Sequence, residues 1–218
     1  MRKRVLIIFS MAILALVLVS AASAAVTVSV RVEGKTRTLF GATDPQLQVS
    51  STAFDALVAA ASAGEIYYHL ATGSFGSYVD QVGLYPALGS GGWMFKVNGV
   101  LPPVGADKVT LNSGDHVLWF WADFDPVTFA GPKTLQLASS KLTHAERELE
   151  KRGHNKLSCY AAFAQDDRGA SAPANGAILH VGSKRVVKTK KGRACTASHR
   201  GLFVQATLAG AVRSNKLV

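Results

Sequence analysis

The sequence predicts a mainly β protein of two domains, the first an α+β unit with one helix and the second a small β-sandwich. Three observations predict it. Residues 26–33 alternate apolar and polar side chains with period two; one stretch, 51–64, carries helical periodicity; and beyond residue 157 short alternating runs are separated by glycine-bearing turns. The charge divides at the same place, because residues 26–125 hold five Lys/Arg against nine Asp/Glu, while residues 126–218 hold sixteen against five, within a net +10 for the chain. Pro126, Gly131 and Pro132 interrupt the pattern there, giving domains over 26–125 and 131–218. Such a division suggests separate partners for the two halves.

Ahead of both domains, Arg2-Lys3-Arg4 precedes an apolar run over residues 5–19 broken only by Ser10, and Ala22-Ser23-Ala24 follows. This order of basic, apolar and small residues reads as a signal peptide over residues 1–24, cleaved after Ala24, which delivers the chain to the secreted or extracytoplasmic space. The apolar run also has the length for an uncleaved anchor, so both readings stand; no transmembrane span is expected beyond it. Export favours oxidised thiols, and the two cysteines, Cys159 and Cys195, are expected to form a disulfide.

In the first half, Val26, Val28, Val30 and Val32 share one strand face, and Thr27, Ser29, Arg31 and Glu33 share the other, which is expected to meet solvent. Residues 35–40 return as its hairpin partner. The helix follows, with Phe54, Leu57, Val58 and Ala61 in one stripe, Thr52 and Asp55 at capping-box spacing, and Gly64 suited to a left-handed position after the last turn. Strand-like pieces lie around 66–70 and 78–82. In the run GGWMFKVNG, Trp93, Phe95 and Val97 share a face, and Asn98-Gly99 suits a two-residue hairpin turn. After a further turn at 112–115, Val117, Trp119 and Trp121 line one face of a strand and Leu118, Phe120 and Ala122 the other. Two apolar faces predict a central strand.

The text from Gly92-Trp93 through Val97-Asn98-Gly99, Gly105-Ala106, Leu111 and Gly114-Asp115 to Trp119 resembles the transcobalamin-like C-terminal domain family, and the stretch AFDALVAAA falls where that family has its helix. The resemblance covers residues 26–125 and implies a β-grasp-like fold. It implies an extracytoplasmic module that binds a small ligand, a glycan or a surface protein. In transcobalamin and intrinsic factor the corresponding domain looks like a lid over cobalamin held against a helical barrel, and no length for that barrel is present here. No resident cofactor is expected; a carrier of cobalamin or a related tetrapyrrole is the alternative. The candidate ligand-binding residues are Trp93, Trp119 and Trp121, whose rings suit stacking. If the side of Phe120 packs on the helix, Trp119 and Trp121 form a platform on the opposite face, or the contact with the second domain. Trp93 also reads as a core residue.

In the second half, residues 133–141 read as a strand, and residues 142–153 read either as a short helix capped by Thr143 and Glu146 or as a loop. The stretch from Asn175 to Asn215 is similar to bacterial immunoglobulin-like and carboxypeptidase-regulatory-like modules, through Gly176-Ala177, Val181, Thr189, Gly192-Arg193-Ala194 and Val204-Gln205-Ala206. An immunoglobulin-like sandwich follows from that likeness, with Cys159 and Cys195 on strands of its two sheets. The basic run of Lys184, Arg185, Lys188, Lys190, Lys191 and Arg193 reads as a solvated strand edge, or as a contact for anionic cell-wall polymers. No aromatic residues interleave it, which argues against nucleic acid. The chain has no G-x-S-x-G, H-E-x-x-H, Walker or G-x-G-x-x-G motif, and its six histidines lack metal-ligand spacing, so neither catalytic residues nor a metal are expected. The sequence reads as a non-enzymatic exported binding or adhesion protein, with a purely structural spacer as another reading.

Overall fold

A computed structural model describes residues 25–218 apart from 74, 75, 126, 129, 153–155, 199 and 200, and without the side chains of residues 76 and 185. The segment read as a signal peptide lies outside the described residues. The first domain is built from β1 (Val26–Glu33), β2 (Thr38–Phe40), β3 (Gln46–Val49), α1 (Ala53–Ala63), β4 (Tyr68–Gly73), β5 (Gly76–Val82), β6 (Tyr85–Pro86), β7 (Gly91–Val97) and β8 (His116–Asp123). Its main sheet runs β2-β1-β8-β7, with β3 also on β1; β1 and β8 are parallel and the other pairs antiparallel. Between the parallel strands the chain passes through α1, which lies on one sheet face. This is the β-grasp arrangement, and β8 is central in it, as its two apolar faces predict.

Val28, Val30 and Val32 are fully buried against Leu57 of α1, and Val79 and Val82 of the small β4-β5-β6 sheet join the same core. The helix starts at a capping box: Thr52 Oγ1 accepts from the Asp55 N–H at 3.2 Å, and the Asp55 carboxylate accepts from the Thr52 N–H at 2.8 Å. Its end differs from expectation. Gly64 has φ −101°, and the left-handed residue is Glu65 at φ 51°. The glycine is required for proximity instead, since a Cβ there would press on the Phe40 ring at 2.9 Å and on Ile66 at 3.0 Å. At the β7 hairpin the expectation holds: Asn98 (φ 51°) and Gly99 (φ 82°) form a two-residue turn closed by paired hydrogen bonds between Val97 and Val100.

The second domain comprises β9 (Lys133–Ser140), α2 (His144–Lys151), β10 (Leu157–Gln165), β11 (Ser171–Pro173), β12 (Ile178–Val181), β13 (Lys184–Lys188), β14 (Arg193–Ala197), β15 (Val204–Thr207), β16 (Ala211–Val212) and β17 (Lys216–Leu217). One sheet runs β11-β10-β9-β16 with β14 also on β10, the other β13-β12-β15-β17. Leu135, Leu137 and Ala162 of the first meet Leu179, Val181 and Val204 of the second in a common core, so the two form a sandwich. Residues 144–151 are helical, with the Thr143–Glu146 capping box in place.

Cys159 and Cys195 are bonded, but not between the sheets. They face each other on neighbouring strands β10 and β14, their Cα atoms 4.0 Å apart. The pairing register itself brings the sulfurs together, so the bond staples one sheet. It encloses a separation of 36 residues, worth on the order of 4 kcal/mol if unfolded-chain entropy dominates.

A second correction concerns β1. Ser29 (2 % exposed), Arg31 (5 %) and Glu33 (0 %) are buried, not solvent-facing. The sandwich domain covers this side of the first sheet. Arg213, leading out of β16, donates to Glu33 Oε2 through Nη2 at 3.0 Å and to the Gly34 carbonyl at 2.6 Å. From β7, the fully buried Lys96 reaches the Asp166 carbonyl and the Asp167 carboxylate, each at 3.0 Å. Beside these ion pairs, Phe120 and Ala122 of β8 pack with Val212, Met94 and Leu118. The acidic and basic halves therefore meet at a seam where charges pair across the boundary.

Candidate functional site

Period-two alternation sends the side chains of β7 and β8 to two destinations. Trp93 lies opposite Trp121 and Phe95 opposite Trp119 in the antiparallel register, so all four share one sheet face, and Trp93, Phe95 and Trp119 join the core that α1 covers. The tryptophans therefore lie on the helix side, and it is Phe120 that faces the second domain. Trp119 is 2 % exposed; its ring stacks on Phe95 with centroids 5.0 Å apart, and its Nε1–H donates to the Ala53 carbonyl at 3.1 Å. Trp93 is half-buried and donates to the Tyr85 carbonyl at 2.8 Å.

These residues form the floor of a cleft of about 350 Å³. Phe54 closes it from α1, and Leu70 and Tyr78 stand at its rim on the β4–β5 hairpin. Leu70 is 39 % exposed and Tyr78 53 %, a large apolar investment for surface strands. The polar lining includes Asp107, whose carboxylate pairs with Lys108 at 2.9 Å. The N–H groups of both tryptophans are already satisfied by main-chain carbonyls, so the cleft offers ring faces and edges, not indole donors. A volume near the lower end of the range for small-molecule sites suits one or two fused rings.

Of the three tryptophans named from the sequence, two thus share a cavity. Trp121 belongs to a separate recess beside Lys35 and Arg213: its Nε1–H donates to the Pro86 carbonyl at 3.1 Å, and the Lys35 ammonium lies 4.3 Å from its ring centroid. Tyr78 and Leu70 were not among the sequence candidates. Their signal is an exposed aromatic or aliphatic residue on a short strand, which alternation alone cannot separate from an ordinary edge.

The basic run is divided in the same way. Lys184 and Lys188 lie exposed on β13, an edge strand, and Lys190 and Lys191 are exposed in the turn before β14. The Arg185 side chain lies outside the described residues. Arg193 is engaged elsewhere, donating to both oxygens of Glu146 at 2.6 and 2.7 Å and so holding α2 against β14. This forked ion pair holds the Glu146 carboxyl down at about 2. Glu146 also lies 3.0 Å from Cys195 Sγ, but the sulfurs are spent on each other, so this cluster offers no thiolates to a metal.

The fold and cleft define a β-grasp module with an aromatic pocket, joined to a β-sandwich. Residues 50–123 match a family described as a domain of unknown function, DUF4430, a match over about a third of the chain. Phe54, Leu70, Tyr78, Trp93, Phe95 and Trp119 all fall inside the matched segment, whereas β1, which completes the sheet, lies outside it. No curated protein matches the chain.

Proposed function

We propose that the protein is an exported, non-enzymatic binding protein, and that the cleft over Trp93 and Trp119 receives a small ligand with a ring, aromatic or sugar, whose face stacks on theirs. The observation that carries this is the aromatic lining beneath an exposed Leu70 and Tyr78: apolar surface that a purely structural hairpin has no need to show solvent. The disulfide suits an oxidising compartment, and no helix among the described residues is long and apolar enough to cross a membrane. A whole tetrapyrrole would stand mostly outside a cleft of about 350 Å³, which favours a smaller ring system or a ring presented by a glycan.

Nuclear magnetic resonance titration with indole, a glycan panel and cyanocobalamin tests the reading. Indole or a glycan is expected to shift the resonances of Trp93 and Tyr78 saturably, and Tyr78→Ala to weaken binding about tenfold, or ~1.4 kcal/mol. Ligands that leave the Trp93 and Tyr78 resonances unmoved, or that bind equally well to Tyr78→Ala, would sink the cleft as a binding site; a response to cyanocobalamin alone would move the assignment to the tetrapyrrole class.

The exposed Lys184, Lys188, Lys190 and Lys191 support a second role, adhesion to anionic cell-wall polymers. Retention of the full-length mature chain on such material is expected to fall as ionic strength rises past the point where the screening length is about 8 Å. Equal retention at low and high salt would exclude an electrostatic anchor.

A further inference from the structure

The other face of the same sheet carries an unassigned cavity. It measures about 540 Å³ and lies in the seam between the domains, where Arg31, Lys96 and His116 of the first domain confront Gln136, Phe163 and Gln165 of the second. Arg31 is its unusual member. The side chain is 6 % exposed, yet Nε and Nη1 have no hydrogen-bond partner among the described residues. Its neighbouring carboxylates stand back: Nε is 3.8 Å from Glu33 and 3.7 Å from Asp44, distances that balance charge without forming a hydrogen bond. Glu33 is meanwhile committed to Arg213 and Thr38.

A guanidinium only donates, so the missing partner must be an acceptor, and a buried donor left unmet costs free energy. The side chains already bonded around the cavity do not supply one. Gln165 accepts from Gln136 and donates to the Gly169 carbonyl, and Lys96 is held by Asp166 and Asp167. Among the ionised groups lining the space, Arg31 and Lys96 are cationic and Asp44 is anionic. The remaining wall is partly apolar, with Phe163, Val117 and Leu118 beside the polar groups.

We propose that this interdomain cavity is a binding site for a small organic carboxylate, with Arg31 taking the carboxylate and Phe163 contacting the carbon skeleton. The site is independent of the aromatic cleft. Its ligand would touch both domains at once and so tie their association to occupancy.

The test follows the Arg31 Nε–Hε resonance of the full-length mature protein during titration with benzoate and with succinate, against sodium chloride at matched ionic strength and neutral benzamide. A saturable shift with one of the carboxylates is expected, with a Kd of about 1 mM or tighter. Ala138→Phe narrows the cavity from an exposed position on β9 without touching an ion pair, and should weaken binding at least tenfold in the same titration; Arg31→Lys, followed through the line width of the carboxylate's own proton signals, should do the same. An Arg31 resonance unmoved by both carboxylates, or moved equally by chloride or benzamide, would overturn the proposal, as would full affinity in folded Ala138→Phe.

Discussion

Each tryptophan in the first domain gives its ring N–H to a main-chain carbonyl: Trp119 to Ala53, Trp93 to Tyr85 and Trp121 to Pro86. These bonds fix the rings as parts of the frame while leaving parts of Trp93 and Trp121 exposed. Trp119 is the structural extreme, and Trp119→Ala should lower stability by about 3–5 kcal/mol in urea unfolding, through the cavity it leaves and the indole hydrogen bond to Ala53 that it removes. Trp93→Ala should cost clearly less, because that ring is only half-buried. Equal losses would mean that Trp93 is as much a core residue as Trp119. The sequence shows which rings share a strand face. It does not show which face the helix covers, because that depends on how α1 crosses the sheet, and alternation is symmetric to the choice.

At the level of elements, α1 and the β7 hairpin are legible because their determinants are local: Thr52 with Asp55, and Asn98 with Gly99, each satisfy their own backbone. The polar face of β1 is not legible in this way. Ser29, Arg31 and Glu33 look solvent-bound in a strand read alone, but the group that pairs with Glu33 lies 180 residues away in sequence. The Cys159–Cys195 bond is legible, but its place within one sheet is not, for a related reason: residue spacing cannot distinguish neighbouring strands of one sheet from facing strands of two. For α2, which has no buried residue, the Glu146–Arg193 pair provides the attachment. Because the folded Glu146 carboxyl lies near 2, below its ordinary 4.5, its contribution is present above about pH 4.5 and is lost as pH falls toward 2. Wild-type thermal stability should therefore decline between about pH 5 and pH 2 more steeply than that of Glu146→Gln. Parallel declines in the two proteins would show that other carboxylates govern acid unfolding.

For the whole molecule, the seam matters more than either charge total. Burial pushes the Glu33 carboxyl up, with Arg31 and Arg213 pulling it back, and pushes the Lys96 ammonium down, with Asp167 opposing. Removing one partner from such a pair strands the other in a poorly solvated place. The apolar part of the seam centres on Phe120, fully buried with Val212. Phe120→Asp should divide one calorimetric unfolding transition into two, the less stable domain losing about 3–5 kcal/mol. A single unshifted transition would show that the domains do not stabilise each other. The charge division in the sequence locates the boundary but invites the thought of separate partners. In the folded chain, the two halves are partners to each other.

The parallel pairing of β1 with β8 also sets a timetable. Val26–Glu33 cannot acquire its central neighbour until His116–Asp123 is available, and β9 likewise waits for β16. A chain made or threaded from its N-terminus must therefore hold the valines of β1 unpaired on that side while some ninety residues pass, estimated from a topology in which distant contacts slow folding. During that interval the first sheet cannot lock. Under the exported reading proposed above, such a delay would keep the chain extended while it crosses a membrane, at the cost of a strand edge left open to wrong pairing.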